Sequence, residues 1–172
     1  MKKFELTAEF VTNVFGTKLF RIKALVAFGD VEKGELGGFI EKEDNLSHDG
    51  EAWVYGDARV SGNALVSGDA RVYGDARVSD NALVYGNAWV SGNADYAVVT
   101  GFGRYFRTTT FFRCKDKILR VQCGCFYGDL AQFREIVKKT HGDSKYAKEY
   151  LAIADLMELH FSDEEEKQEA DE

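Results

Sequence analysis

Residues 68–92 read GDARVYGDARVSDNALVYGNAWVSG, and every sixth residue of the stretch is valine. Extended in both directions, the series places valine at 54, 60, 66, 72, 78, 84 and 90, with alanine two residues before each. Glycine stands at 56, 62, 68, 74, 86 and 92, Asp80 takes the seventh equivalent position, and Asp or Asn follows each. The unit is A-x-V-x-G-[DN]. A helix cannot use it, because 3.6 residues per turn does not divide six and every unit carries a helix-weakening residue. A strand can: alanine and valine two apart share a face, and Gly-Asp or Gly-Asn then turns the chain. Short strands joined by identical corners describe a solenoid with Val and Ala inside.

The repeat resembles the hexapeptide repeats of left-handed parallel β-helix proteins over residues 50–96. That resemblance implies a left hand and three hexads per coil, so that residues 18 apart stack. Outward side chains sort by type at this spacing. Trp53, Arg71 and Trp89 fall on one face, Arg59, Arg77 and Asp95 on a second, Leu65 and Leu83 on the third. After each valine, Tyr55 stacks with Tyr73, Ser61 with Ser79, and Ser67 with Tyr85. Burying seven valines does not offset the ordering entropy of roughly forty residues, so the prism needs both ends covered and, by the resemblance, neighbours. Such proteins are commonly trimers. The expected subunit contacts are Trp53, Tyr55, Leu65, Arg71, Tyr73, Leu83, Tyr85 and Trp89, with a Trp53–Arg71–Trp89 cation–π ladder among them.

The expected fold is mainly β: a short β-helix at 40–96, an N-terminal β cap and loop at 1–39, a C-terminal α+β cap at 97–161 and an acidic disordered tail at 162–172. Ile40 and Leu46 keep the hexad spacing, and Val54 eight residues later implies a two-residue insertion at Ser47–Asp49. Beyond the prism, GRYFRTTTFFR and KILRVQC read as a hairpin closed near Lys115–Lys117. Two helices follow. Asp129 and Gln132 form the start of one, with Leu130, Phe133, Ile136 and Val137 inward; Ser144 caps the other, with Tyr146, Tyr150, Ile153 and Met157 inward. The layout from FRIKAL through GGFIEKEDNLS to GCFYGDLAQF resembles small hexapeptide proteins encoded by phages and prophages, a family that supplies no catalytic residues to carry over.

The net charge of −7 is concentrated in the tail, where seven acids meet one base. Residues 97–128 carry six bases against Asp116 alone. Three cysteines, an odd number, argue against a disulfide framework, and no apolar run is long enough for a membrane span, which points to the cytoplasm of a bacterial host. Cys123 and Cys125, two apart on a strand, are expected to share a face as small hydrophobes; a fourth zinc ligand is not evident, and neither metal nor cofactor is expected. Many hexapeptide proteins are acyltransferases with a histidine general base, and His48, in the insertion, is the candidate for that role.

The principal site candidate is the basic hairpin. Arg104, Arg107, Arg113, Lys115, Lys117 and Arg120, interleaved with Tyr105, Phe106, Phe111 and Phe112, offer phosphate-binding forks beside stacking rings. The expectation is a non-catalytic, symmetric protein of phage type that sequesters a small anionic, nucleotide-like ligand, such as a host defence signal. An interaction module for a host or viral protein, and an acyl-CoA-dependent transferase, are the alternatives. Duplex nucleic acid fits poorly with the acidic tail.

Overall fold

A computed structural model describes residues 1–162, so the acidic segment expected to be a tail lies, beyond Ser162, outside the described residues. Strands β1 (Phe4–Thr12), β2 (Lys18–Ala24) and β3 (Leu36–Ile40) come first. Seven two-residue strands follow, one at each hexad valine: β4 (Trp53–Val54), β5 (Arg59–Val60), β6 (Leu65–Val66), β7 (Arg71–Val72), β8 (Arg77–Val78), β9 (Leu83–Val84) and β10 (Trp89–Val90). Then come β11 (Tyr96–Phe102), β12 (Arg107–Arg113), β13 (Leu119–Cys123), β14 (Phe126–Asp129), α1 (Leu130–His141) and α2 (Lys145–His160).

Each hexad strand pairs in parallel with the strand eighteen residues on: Val54 with Val72 and then Val90, Val60 with Val78, Val66 with Val84. Every one of these valines, and every alanine two residues before it, is buried. At the corners the alanine N–H closes a four-residue turn, as from Ala70 to Ser67 (3.4 Å) and from Ala88 to Tyr85 (3.3 Å). The second turn residue is left-handed. Gly68 has φ +68°, and a Cβ there would sit 2.9 Å from the Gly86 nitrogen of the next corner. Asp80 adopts φ +60° at its own corner, a conformation Asp tolerates better than most residues.

The solenoid begins before the regular repeat. Ile40 pairs with Val60 and Leu46 bridges Val66, both twenty residues apart, which locates the two extra residues between Leu46 and Val54. The first coil has no predecessor, so its carbonyls must find other donors. In the regular ladder the Trp53 N–H donates to Ala70 O. For Ala52 O that place is taken by the Lys3 ammonium at 2.9 Å, which also reaches Gly50 O at 3.3 Å. Asn45 does the same one face over, its amide donating to Gly62 O and Ala64 O. Lys3 is 3% exposed, and burial brings its amine down to about 8.

At the other end, β11–β14 form an antiparallel meander. It contains the expected hairpin of β12 and β13, and adds β11 and β14, whose runs are short and broken by glycine. Alternation along β12 joins two cores. Phe112 and Cys114 complete the solenoid core, whereas Phe111 packs with Phe133, Val137, Tyr150, Ile153 and Met157 of the helices. Asp129 accepts from the Gln132 N–H, Ser144 from the Ala147 N–H, and Gly142 follows α1, as expected. Tyr146 and Ile136, however, are 36% exposed; Ala147, Ala154 and Phe161 fill the interior instead. Arg134 ties the helices together through Asp155 and Glu158.

Several outward positions differ from expectation. Trp53 is fully buried beneath Phe4 and Phe28, so it offers nothing to a neighbouring subunit. The cation–π ladder does not form: Arg71 stacks over Tyr55 and pairs with Asp30 at 2.6 Å, while Trp89 meets Tyr73 and Lys115. Asp95 leaves the arginine stack for a short 3-10 turn, where it accepts from Ser91 and Gly92. Cys123 and Cys125 do not share a strand face. They flank the left-handed Gly124 in the turn from β13 to β14, with Cys125 exposed and only Cys114 fully buried.

Candidate functional site

A seven-residue strand is about 20 Å long, and β12 separates the hairpin's basic residues into two groups at its ends. Arg104, Tyr105, Phe106 and Arg107 lie at the turn entering β12, while Arg113, Lys115, Lys117 and Arg120 lie at or beyond the turn leaving it. The second group is occupied. Arg120 makes two 2.7 Å bonds to Asp116, whose carboxyl this pairing holds down at about 2. Arg113 lies 3.5 Å from Asp95, donates to Phe161 O and covers the Phe161 ring. Lys115 sits over Trp89, and Lys117 takes a left-handed turn conformation. These four do not join the first group in one pocket.

The first group stands over a cavity of about 200 Å³ between the meander and α1. Phe126, Phe133, Val137 and Tyr150 supply its apolar walls, Cys123 and Cys125 one edge, Thr140 and His141 another. Two anchors hold the overlying turn: Gly103 N–H donates to Glu149 at 2.9 Å and the Tyr150 hydroxyl to Phe102 O at 3.4 Å. Burial, with Cys123 beside it, pushes the Tyr150 hydroxyl up to about 12, so it remains neutral. Phe106, at φ +54°, turns the chain so that Tyr105 stands 64% exposed at the mouth. The Arg104 and Arg107 guanidiniums lie 5.6 and 5.1 Å from the Tyr105 ring centre. Neither makes an ion pair with any described residue. An apolar pocket with two cations and a ring at its mouth suits an anion carrying a flat apolar body.

His48 is not arranged as a general base. Its Nδ1 accepts from the Lys3 backbone N–H at 3.1 Å, so the proton is on Nε2, which donates to Glu43 at 2.8 Å. The ring also stacks on Phe4 at 4.3 Å. Both nitrogens are thus committed, Nδ1 to the N-terminal segment and Nε2 to Glu43 of the entry coil. Nothing in the sequence signals this role, because residues 3 and 4 lie more than forty positions from His48. Among the described residues, no cluster of three or more His, Cys, Asp or Glu is placed to hold a metal ion. No described helix is long and apolar enough to cross a membrane.

Four overlapping segments, residues 52–68, 58–74, 70–86 and 76–92, match the family model described as the YdcK β-solenoid repeat. The similarity is confined to the hexad region and supports a repeat β-solenoid there. A comparison with curated proteins gives no match.

Proposed function

We propose that this protein is a non-catalytic binding protein for a small amphiphilic anion, which inserts a flat apolar group into the cavity beneath Tyr105 and leaves its charge between Arg104 and Arg107. The observation that carries this reading is the pair of guanidiniums, without carboxylate partners among the described residues, at the mouth of an apolar pocket. The volume is below the roughly 300–1,000 Å³ usual for whole ligands. It therefore favours a single ring held inside, with phosphate outside, as a nucleotide would be. The scaffold in this reading is a left-handed β-helix of three hexads per coil, closed by its terminal caps and assembled as a symmetric oligomer in a bacterial cytoplasm. The phage-like layout supports sequestration of a host signalling nucleotide.

The test is calorimetric titration of the full chain with a panel of mono- and cyclic nucleotides, comparing wild type with Arg104→Ala/Arg107→Ala. Removing a guanidinium that bonds a phosphate costs about 1.5–3 kcal/mol, so the double variant should bind at least about tenfold more weakly. Equal binding by the two proteins, or no binding by wild type at low salt, refutes the site. A second reading, a protein-interaction module, draws support from Val14 and Phe15, which project 90% and 89% exposed at the β1–β2 tip. Capture of one stoichiometric partner, abolished by Val14→Ser/Phe15→Ser, would favour it.

A further inference from the structure

The solenoid carries a second pair of arginines with no anionic partner among the described residues. Arg59 and Arg77 are in-register neighbours on the parallel strands β5 and β8. Adjacent strands lie about 4.8 Å apart, and like charges placed directly opposite are destabilising. Elsewhere the chain neutralises its arginines: Arg21 with Glu9 and Asp57, Arg71 with Asp30, Arg113 with Asp95, Arg120 with Asp116, and Arg134 with Asp155 and Glu158. Among the described residues no carboxylate pairs with Arg59 or Arg77. Two positions further along the same outward face stand Ser61 and Ser79, also in parallel, so four donors form a two-by-two grid. The Ser79 hydroxyl lies 3.4 Å from the Asp80 carboxylate and beside the Tyr96 hydroxyl, which donates to Arg77 O.

The tip of the β1–β2 hairpin, with Thr12, Asn13, Val14 and Phe15, borders the grid and forms with it an open cleft of about 240 Å³. A wider recess of about 510 Å³ continues along Gly62, Asn63 and Asn81. Two carboxylates border that recess, away from the arginines' cleft: Glu41 accepts the Gly62 N–H at 2.6 Å, and Asp80 lies 3.4 Å from the Ser79 hydroxyl. We propose that this cleft is a second binding site, distinct from the cavity under Tyr105, and that it takes a diphosphate group. One guanidinium fork satisfies one phosphate; two forks a strand spacing apart, with the Ser61 hydroxyl beside them, match two linked phosphates. The exposed Phe15 ring supplies an apolar lip against which the remainder of a nucleoside diphosphate stacks.

The experiment is calorimetry on the full chain at low salt, with inorganic pyrophosphate, orthophosphate and a nucleoside diphosphate as separate probes. Wild type should bind pyrophosphate more tightly than orthophosphate. Arg59→Ala/Arg77→Ala should weaken pyrophosphate binding by about tenfold or more, and Arg59→Lys/Arg77→Lys, which keeps the charge and loses the forks, by several-fold. Phe15→Ser should weaken the nucleoside diphosphate and leave pyrophosphate unchanged. Circular dichroism checks the fold, and Arg77→Ala alone, at the more exposed position, carries the test if the double variant fails to fold. In the Arg104→Ala/Arg107→Ala background, where the first pair of forks is gone, pyrophosphate binding should persist and should still fall on Arg59→Ala/Arg77→Ala, so the two sites fail separately. Absence of pyrophosphate binding by wild type, or binding undiminished in Arg59→Ala/Arg77→Ala, overturns the proposal.

Discussion

Titration of Lys3 should make the protein more stable as the pH rises from 7 to 9.5. The amine is buried among the end carbonyls of the first coil, and desolvation brings it from an ordinary 10.5 to about 8, with Asp49, Asp69 and Glu51 pulling the other way. Between those two values the unfolded chain holds a proton that the native chain has released. Unfolding therefore takes up a proton, and stability climbs with pH across this window. Below it, the charged form costs the native state the full difference of about 2.5 pH units, or about 3.4 kcal/mol at 1.36 kcal/mol each. At pH 9.5 the remaining cost is about 1.4 kcal/mol, so the gain is about 2 kcal/mol, or about 4–8 °C in Tm for a chain of this size. Other groups also titrate here, so the measurement is thermal unfolding of wild type against Lys3→Met, a side chain of similar length with no proton to lose. Wild type should gain that margin relative to the variant. Parallel pH profiles, or a loss for wild type, would show that burial does not control the Lys3 proton.

At the corners, Gly68→Ala should cost about 2–4 kcal/mol, combining left-handed strain of about 1–2 kcal/mol with a Cβ at 2.9 Å from Gly86 N; Asp80→Gly should lie within about 1 kcal/mol of wild type. Urea denaturation of both variants checks the pair, and an equal cost would refute the corner argument. Trp53 has a buried indole N–H with no acceptor among the described residues. Trp53→Phe removes that orphan, worth about 1–3 kcal/mol, and gives up a comparable amount of apolar burial, so thermal unfolding should place it within about 1 kcal/mol of wild type. A loss above about 3 kcal/mol would mean that the N–H is satisfied in solution. At the cavity, loss of nucleotide binding in Arg104→Ala/Arg107→Ala should come without a change in Tm beyond about 2 °C, because neither arginine makes an ion pair with a described residue and the Tyr105 ring they share is itself exposed.

How much is legible in the chain varies by element, and the reasons are physical. In a solenoid the long-range neighbour is a fixed number of residues away, so the repeat alone assigns Val54, Val72 and Val90 to one ladder. The helix starts at Asp129 and Ser144 are equally readable, because an N-cap is a bond between residues three apart. The basic hairpin misleads because local charge says nothing about which carboxylate will arrive from elsewhere. Asp116 is visible in the turn, yet Asp95 reaches Arg113 only when β11 folds back on β12. Trp53 looks like an exposed position of the repeat, and it is buried by Phe4 and Phe28, segments far upstream. Arg59 and Arg77 stack by the repeat, whereas the lack of a neutralising carboxylate emerges only from their surroundings.

What the sequence determined by itself is everything carried by contacts of constant separation: the hexad period, the valine and alanine interior, the glycine corners, the sorting of outward residues into faces, and the helix caps. The tertiary structure alone decided which polar groups are left over. Lys3 and Asn45 became substitutes for a missing coil, His48 became a clamp rather than a base, and five arginines out of nine found carboxylates. The four without such partners among the described residues, Arg59, Arg77, Arg104 and Arg107, each border a cleft. A charge's partner depends on where remote segments come to rest, and no periodicity in the chain encodes that position.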